Sequence, residues 1–225
     1  MQYECSVIEY SRWSRGNALA LVPTTALAVW AETPALIGAV GGGSLVYFAY
    51  RTRSAWTPHG GFGLANTVSS LRLLLTALLL FAGLALPAWS ITGIALVVVT
   101  LDGIDGWVAR RFGEQSEFGG RYDTAIDSLY TLALSVLLSV RGVLGPWVLI
   151  AGLWHYAFVL TVFVFPSDRE LKRSFFAACI FVGLVATLGA AFVLPHAWAA
   201  PLVAVAVVLQ TVSFGGSFWQ RYGPA

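Results

Sequence analysis

The sequence predicts an all-α membrane protein, a polytopic helical bundle, and three observations carry this prediction. The 225 residues are 58% hydrophobic, with a mean hydropathy of +0.77, whereas soluble domains contain roughly 45–50% apolar residues. The apolar residues form runs close to the roughly 20 residues that a helix needs to cross a bilayer. Clusters of arginine separate these runs. We therefore expect a six-span core with an amino-terminal helical hairpin in front of it.

The chain opens with two apolar stretches, residues 18–30 and 34–50. Each is short for a full crossing, and the connection between them is very short, so they predict a hairpin of one or two extra membrane helices. A cleaved signal peptide is the alternative, because Arg12 and Arg15 precede the first stretch. Pro23 inside that stretch and the lack of a secreted domain after it argue against cleavage.

Longer apolar runs follow and form the predicted core. Since each is about as long as a bilayer is thick, each is expected to cross the membrane once. They cover residues 66–86, 88–111, 119–140, 144–166, 173–194 and 198–219. We assign residues 61–225 to this six-span core and residues 1–60 to the amino-terminal tail with its extra helices.

The basic residues predict the orientation of the bundle, because loops on the cytoplasmic side carry an excess of lysine and arginine. One side of the core collects Arg51, Arg53, Arg110, Arg111, Arg121, Arg169, Lys172, Arg173 and Arg221. The loops on the opposite side offer only Arg141 and His196. We expect the first side and both chain ends to face the cytoplasm of a bacterial cell, with the bilayer as a partner. A net charge of +2 is too small to indicate a nucleic-acid partner.

Aspartates are concentrated at the junction of the second and third core spans. A helical residue turns by about 100°, so Asp102 and Asp105 share one face of the second span. Asp123 and Asp127, four residues apart, share a face of the third. The short connection, residues 112–118, predicts that the two helices are antiparallel neighbours and that their acidic faces meet near the cytoplasmic end.

Carboxylates at this depth need a positive partner, because each costs at least about 2.5–3.5 kcal/mol inside the hydrocarbon region. Arg110 and Arg121 could supply part of the charge, but helical geometry points Arg121 away from the acidic face. Divalent cations fit better, since all-oxygen ligands suit Mg²⁺ or Mn²⁺. Four carboxylates are enough for two ions.

Small residues accompany the aspartates on the same faces. Gly106 and Ala109 lie one turn towards the cytoplasm from Asp102 and Asp105, and Gly119 lies at the same level on the facing helix. They leave room for a ligand beside the metals, although close helix packing is an alternative. The neighbouring Arg110 could bind a diphosphate, or could be an ordinary cytoplasmic anchor.

This pattern resembles the signature of the CDP-alcohol phosphatidyltransferase family. Each fixed residue and spacing of that signature is present. The matching residues are Asp102-x-x-Asp105-Gly106-x-x-Ala109-Arg110 and, after eight intervening residues, Gly119-x-x-x-Asp123-x-x-x-Asp127. The surrounding core, roughly residues 61–222, is similar to the catalytic domain of the family, whereas residues 1–60 lie outside the resemblance.

The resemblance implies transfer of a substituted phosphate from a CDP-linked alcohol, such as CDP-diacylglycerol, to a second alcohol, with release of CMP. It also implies a homodimer in which each protomer carries its own site. Asp127 would be the general base and could also be a metal ligand. The implied metal ligands are Asp102, Asp105 and Asp123. The implied nucleotide-diphosphate site consists of Gly106, Ala109, Arg110 and Gly119.

The first core span carries a further, weaker similarity. Its residues Asn66, Ser69 and Arg72 match the Asn-x-x-Thr/Ser-x-x-Arg opening found in many family members, which adds Asn66 and Ser69 to the nucleotide site. Asn66 or Ser69 could instead cap the helix. Arg72 lies about two turns into an apolar span, so we expect it to contact an acid or a phosphate.

The acceptor alcohol stays open at the level of sequence. Arg169, Lys172 and Arg173 could bind an acceptor that carries a phosphate, or could be ordinary cytoplasmic charges paired with Asp168 and Glu170. Serine, choline or ethanolamine would need other contacts. His155 could line a pocket or pack between helices.

A divalent-cation or proton-coupled transporter is the main alternative function, because transporters also use intramembrane acids. A transporter needs polar residues through the whole membrane, yet the outer halves of the two aspartate-bearing spans are almost wholly apolar. An inactive, enzyme-like partner subunit is a further alternative, which the intact motif opposes.

Overall fold

The computed structural model describes residues 2–166 and 175–223, and of residues 2–9 it describes the backbone alone. The described residues form helices, turns and loops, and no strand occurs among them. The helices are α1 (Gln2–Trp30), α2 (Ala35–Ile37), α3 (Gly43–Arg51), α4 (Leu64–Ala82), α5 (Ala88–Phe112), α6 (Glu117–Val140), α7 (Leu149–Val164), α8 (Phe175–Ala190) and α9 (His196–Tyr222). A π-helical turn, Gly38–Gly42, joins α2 to α3, and 3₁₀ turns occupy Arg53–Ala55 and Pro146–Val148.

The predicted fold class, a polytopic helical bundle, is confirmed. Within the described ranges, five helical segments are long and apolar enough to cross a membrane, namely Leu64–Ala82, Ala88–Phe112, Glu117–Val140, Pro146–Val164 and His196–Tyr222. The fifth predicted span, residues 173–194, corresponds to α8, an apolar helix of 16 residues that is short for a crossing. The count of six is therefore not confirmed. The chain is that of an integral membrane protein.

The amino-terminal region folds as two antiparallel helical arms. The first arm, α1, begins at Gln2, well before the expected start at residue 18. The second arm comprises α2, the π-helical turn and α3. Trp13 joins the arms, because its Nε1 donates to the backbone oxygen of Ser44 at 3.0 Å and its ring stacks on Phe48. That this hairpin crosses the bilayer stays a prediction.

Helix α6 is the centre of the bundle, since it is the most buried of the five long helices and is buried on all sides from Ser128 to Leu138. Glycines let neighbouring segments approach it closely. A Cβ atom on Gly152 of α7 would lie 2.6 Å from the Leu132 Cα atom, and one on Gly41 would lie 2.6 Å from Leu129 Cδ1. Both α7 and the amino-terminal hairpin are thus packed directly on α6.

The connection between α5 and α6 is as short as expected, but the two helices are not close neighbours. Gly113, in a left-handed conformation (φ 66°), ends α5, and Ser116 caps α6 by accepting from the Gly119 amide at 2.9 Å. Helix α4 packs extensively against both α5 and α6, which themselves make few close backbone contacts. Helix α4 therefore bridges α5 and α6, which are not the close neighbours that were expected. The expected meeting of their acidic faces is confirmed, because carboxylate oxygens of Asp102, Asp123 and Asp127 lie within 4.8 Å of one another.

Candidate active site

Three of the four aspartates converge between α4, α5 and α6. Asp102, Asp123 and Asp127 each offer a carboxylate oxygen, and these oxygens lie within 4.8 Å of one another. All three residues are partly buried. A cluster of this size and donor type could bind a metal ion.

Arg72 lies at the centre of the acidic faces. Its side chain is 1% exposed and forms ion pairs with Asp102 at 2.7 Å and Asp105 at 2.8 Å, and also with Asp123 and Asp127. The expectation that Arg72 contacts an acid is confirmed. A single guanidinium against four carboxylates leaves excess negative charge when all four are ionised, which is the charge that a divalent cation would balance.

Asp105 is held differently from the other three aspartates. It is 6% exposed, accepts from Ser69 Oγ at 2.9 Å and from Arg72 Nη1 at 2.8 Å, and lies outside the three-carboxylate cluster. Both partners come from α4, so α4 orients this carboxylate. Its role as a metal ligand stays a prediction.

A cavity of about 480 Å³ opens beside Asp105 and Asp123, where α5 and α6 diverge. The structure brings together in its wall all six residues that were expected to bind the nucleotide. They are Asn66, Ser69, Gly106, Ala109, Arg110 and Gly119. The remaining wall consists of residues that the sequence analysis did not select, namely Ala65, Glu114, Gln115, Ser116, Glu117 and Gly120. We call this space the first cavity.

Gly106 and Gly119 keep the first cavity open in different ways. A Cβ atom on Gly106 would lie 3.4 Å from Arg110 Nη1, so the Arg110 guanidinium extends over Gly106. A Cβ atom on Gly119 would lie 3.1 Å from Asn66 Oδ1 and 3.2 Å from Ser116 Oγ. A side chain at Gly119 would therefore displace polar groups of the wall.

Asn66 and Ser69 do not cap α4, so that alternative was wrong. The N-cap position is Gly63, and the Ala65 amide donates to Glu114 Oε2 at 2.8 Å. The Asn66 amide nitrogen donates to two backbone carbonyls, and the Ser69 hydroxyl contacts Asp105 and the Ala65 carbonyl. The sequence offered one signal for Ser116, a serine placed as an N-cap just before an apolar helix.

A second cavity, of about 420 Å³, lies on the other side of the aspartates, between α6, α7, α8 and α9. Asp127 lines it, whereas Asp123 lines the first cavity. Its polar wall groups are hydroxyls, an amide and an imidazole, from Thr124, Ser128, Thr131, His155, Gln210, Ser213 and Ser217. His155 therefore lines a pocket, which was one of the two roles that the sequence analysis considered for it.

Arg121 pairs with Glu117 and its guanidinium lies 4.5 Å from the centre of the Tyr10 ring. The predicted acceptor contacts Arg169, Lys172 and Arg173 lie outside the described residues.

An aspartate cluster flanked by two cavities inside an apolar bundle defines a membrane-embedded protein with a candidate cation site. The chain belongs to the CDP-alcohol phosphatidyltransferase family, whose sequence model matches residues 62–214, more than half of the chain. Membership implies a CDP-alcohol donor and an alcohol acceptor, and a transfer of phosphatidyl-type groups between them. It favours the enzyme over the transporter. A comparison with curated proteins and one with solved structures gave no match.

Proposed function

We propose that the protein transfers a substituted phosphate, specifically phosphatidyl, from CDP-diacylglycerol or a related CDP-alcohol to a small alcohol in phospholipid biosynthesis. The observation that carries this proposal is the position of the aspartates between two cavities. Asp123 lines one cavity, Asp127 lines the other, and their carboxylates meet at Arg72. Donor and acceptor can thus enter from different sides and meet at the carboxylates.

The aspartates are proposed to hold two divalent cations, Mg²⁺ or Mn²⁺. Asp102, Asp123 and Asp127 form a cluster of oxygen donors that fits such an ion, and Asp105 lies against the same guanidinium. The excess of negative charge in this group supports the assignment. Bound there, the ions would neutralise the diphosphate and the leaving CMP.

The CDP part of the donor is assigned to the first cavity. Gly106, Ala109 and Gly119 leave space in its wall, and Arg110 offers a guanidinium that can bind diphosphate oxygens. Asn66 and Ser69 supply uncharged polar groups from α4. These contacts leave the donor phosphorus near Asp105 and Asp123.

The acceptor alcohol is assigned to the second cavity, where Asp127 acts as general base. The acceptor hydroxyl gives its proton to Asp127, its oxygen forms a bond to the donor phosphorus, and the bond from phosphorus to CMP breaks. Hydroxyl, amide and imidazole groups of the wall can hydrogen-bond the rest of the acceptor. For an acceptor that carries a phosphate, Arg169, Lys172 and Arg173 stay the proposed contacts.

The basic residues support a cytoplasmic position for the aspartates, in a bacterial cell membrane. A homodimer with one site in each protomer follows from the family resemblance and stays a proposal. The same holds for the division into an amino-terminal region, 1–60, and a core, 61–225. The family match begins at residue 62, which supports that boundary.

The test is CMP release by the purified protein in nanodiscs, with CDP-diacylglycerol and Mg²⁺ or Mn²⁺. The acceptors are glycerol 3-phosphate, inositol phosphate, serine and choline, each compared with a reaction without acceptor. CMP release that depends on one acceptor is the expected result and identifies that acceptor. If the protein binds neither CDP nor metal, the proposed function is wrong.

A further inference from the structure

The backbone carbonyl of Trp56 lies behind the first cavity and joins two of its walls. It accepts a hydrogen bond from Asn66 Nδ2 at 3.2 Å and another from Ser116 Oγ at 2.7 Å. Asn66 belongs to α4, and Ser116 precedes α6. Trp56 itself precedes the family match, which begins at residue 62. A group from the amino-terminal region therefore contacts the proposed nucleotide site from the rear.

This carbonyl fixes which atom Asn66 presents to a ligand. The amide nitrogen of Asn66 donates to Trp56 and also to the Phe62 carbonyl at 2.7 Å, so both of its protons are used. The Asn66 oxygen is left as an acceptor. It lies beside Gly119 on the cavity wall, 3.1 Å from where a Gly119 Cβ atom would be. Such an oxygen suits a ligand that donates, such as a nucleoside hydroxyl or amino group.

The same carbonyl orients the cap of α6. Because Ser116 Oγ donates its proton to Trp56, its lone pairs are free to accept from the Gly119 amide, which it does at 2.9 Å. The first turn of α6, which carries Gly119 and leads to Asp123, is thereby held in register with the linker, residues 52–63 between α3 and α4.

The side chain of Trp56 holds its own backbone in place. Its Nε1 donates to the Ala49 carbonyl of α3 at 2.8 Å, and its ring packs edge-on against Phe62 with centroids 4.7 Å apart. Helix α3 is in turn attached to α6, because the Phe48 and Phe118 rings stack with centroids 5.5 Å apart. The hairpin, the linker and α6 form one continuous support.

We propose that Trp56 is a positioning residue for the nucleotide, and that the amino-terminal hairpin forms the rear support of the first cavity. This inference rests on the proposed function, because it takes the ligand of that cavity to be the CDP part of the donor. It assigns to residues 1–60 a role in donor affinity in addition to any role as a membrane anchor.

The experiment measures CDP affinity by calorimetry, and kcat and KM for the donor, on the full-length protein in nanodiscs. Trp56→Phe keeps an aromatic ring beside Phe62 but removes the hydrogen bond to Ala49. We expect it to weaken CDP binding and raise the donor KM by about three- to tenfold, with kcat nearly unchanged. Trp154→Phe is the matched control, since Trp154 donates to Thr211 between α7 and α9 and neither residue lines the first cavity. Its CDP affinity should equal that of the wild type.

Ser116 provides an independent check. Ser116→Ala removes the donor to Trp56 and the cap, and Ser116→Thr keeps the hydroxyl, so the threonine variant should restore most of the CDP affinity. The double variant Trp56→Phe, Ser116→Ala should weaken binding by less than the product of the single effects. Trp56→Phe acts by displacing the Trp56 carbonyl, and Ser116→Ala already removes one of the two side chains that donate to that carbonyl.

Wild-type CDP affinity and donor KM in Trp56→Phe would overturn the inference, even if the melting temperature fell. Effects of Trp56→Phe and Ser116→Ala that simply multiply would also contradict it. A wild-type protein that does not bind CDP would overturn the proposed function itself, so the two failures are distinguishable.

Discussion

The two cavities that flank the aspartates are built from different kinds of structure. The first lies where α4, α5, α6 and the loop between α5 and α6 meet, and glycines, backbone-linked polar side chains and Arg110 form its wall. The second lies between four helices and is lined by apolar and uncharged polar side chains together with Asp127. A wall fixed by loop and backbone contacts suits a constant ligand, such as CDP. Side chains on separate helices can be substituted one at a time without a change in the backbone. Such a wall suits the acceptor alcohol, which is the substrate that is expected to vary.

Metal removal should have the largest effect on this arrangement, because both cavities depend on the carboxylates between them. We expect a chelator to abolish acceptor-dependent CMP release, and Mg²⁺ or Mn²⁺ to restore it. Ca²⁺ should restore little, since its larger and looser coordination suits this group less well. Full activity in excess chelator would refute the metal site.

Asp127→Asn should come next, because it removes the base but leaves the first cavity intact. Turnover should fall by about 10²- to 10⁴-fold, the usual contribution of a general base. CDP affinity should remain close to that of the wild type, since Asp127 lines the second cavity and Asp123 lines the first. CMP release and CDP calorimetry on the same preparation provide the measurement. An active Asp127→Asn protein would exclude the base role.

The sequence predicted that aspartates of α5 and α6 meet, and through the family resemblance it selected six residues that line one cavity, because both predictions depend on local spacing. It also predicted an acidic partner for Arg72, since a buried charge needs one. It did not predict that α4 lies between α5 and α6, because a short loop fixes the direction of the chain but not which third helix enters between its neighbours.

Two other features had no readable signal in the sequence. The Trp56 contact uses a backbone carbonyl, a group that every residue carries. The second cavity combines residues from four helices, from Thr124 on α6 to Ser217 on α9, whose meeting depends on the tertiary packing.

The early start of α1 was missed because its first turns are polar and do not continue the apolar run.

Gly119→Ala should affect the first cavity alone. The added Cβ atom would lie 3.1 Å from Asn66 Oδ1 and 3.2 Å from Ser116 Oγ, so these groups must move. We expect the donor KM to rise by about tenfold and the acceptor KM to stay unchanged. Gly103→Ala on α5 is the matched control, because a Cβ atom there has no neighbour within 4 Å in the described structure. Equal shifts in donor and acceptor KM would mean that the cavities do not act separately.

Gln210→Leu should give the smallest effect and the opposite selectivity. Gln210 lines the second cavity, donates to the Ala151 carbonyl at 3.2 Å, and has a buried side-chain oxygen with no hydrogen-bond partner among the described residues. If that oxygen accepts from the acceptor alcohol, its removal should raise the acceptor KM by about threefold and leave the donor KM unchanged. Thr211→Val, at the next position of α9, serves as the control because the Thr211 hydroxyl is engaged by Trp154 and the Val207 carbonyl. An unchanged acceptor KM in Gln210→Leu would remove Gln210 from the acceptor site, and a raised donor KM would place the donor in both cavities.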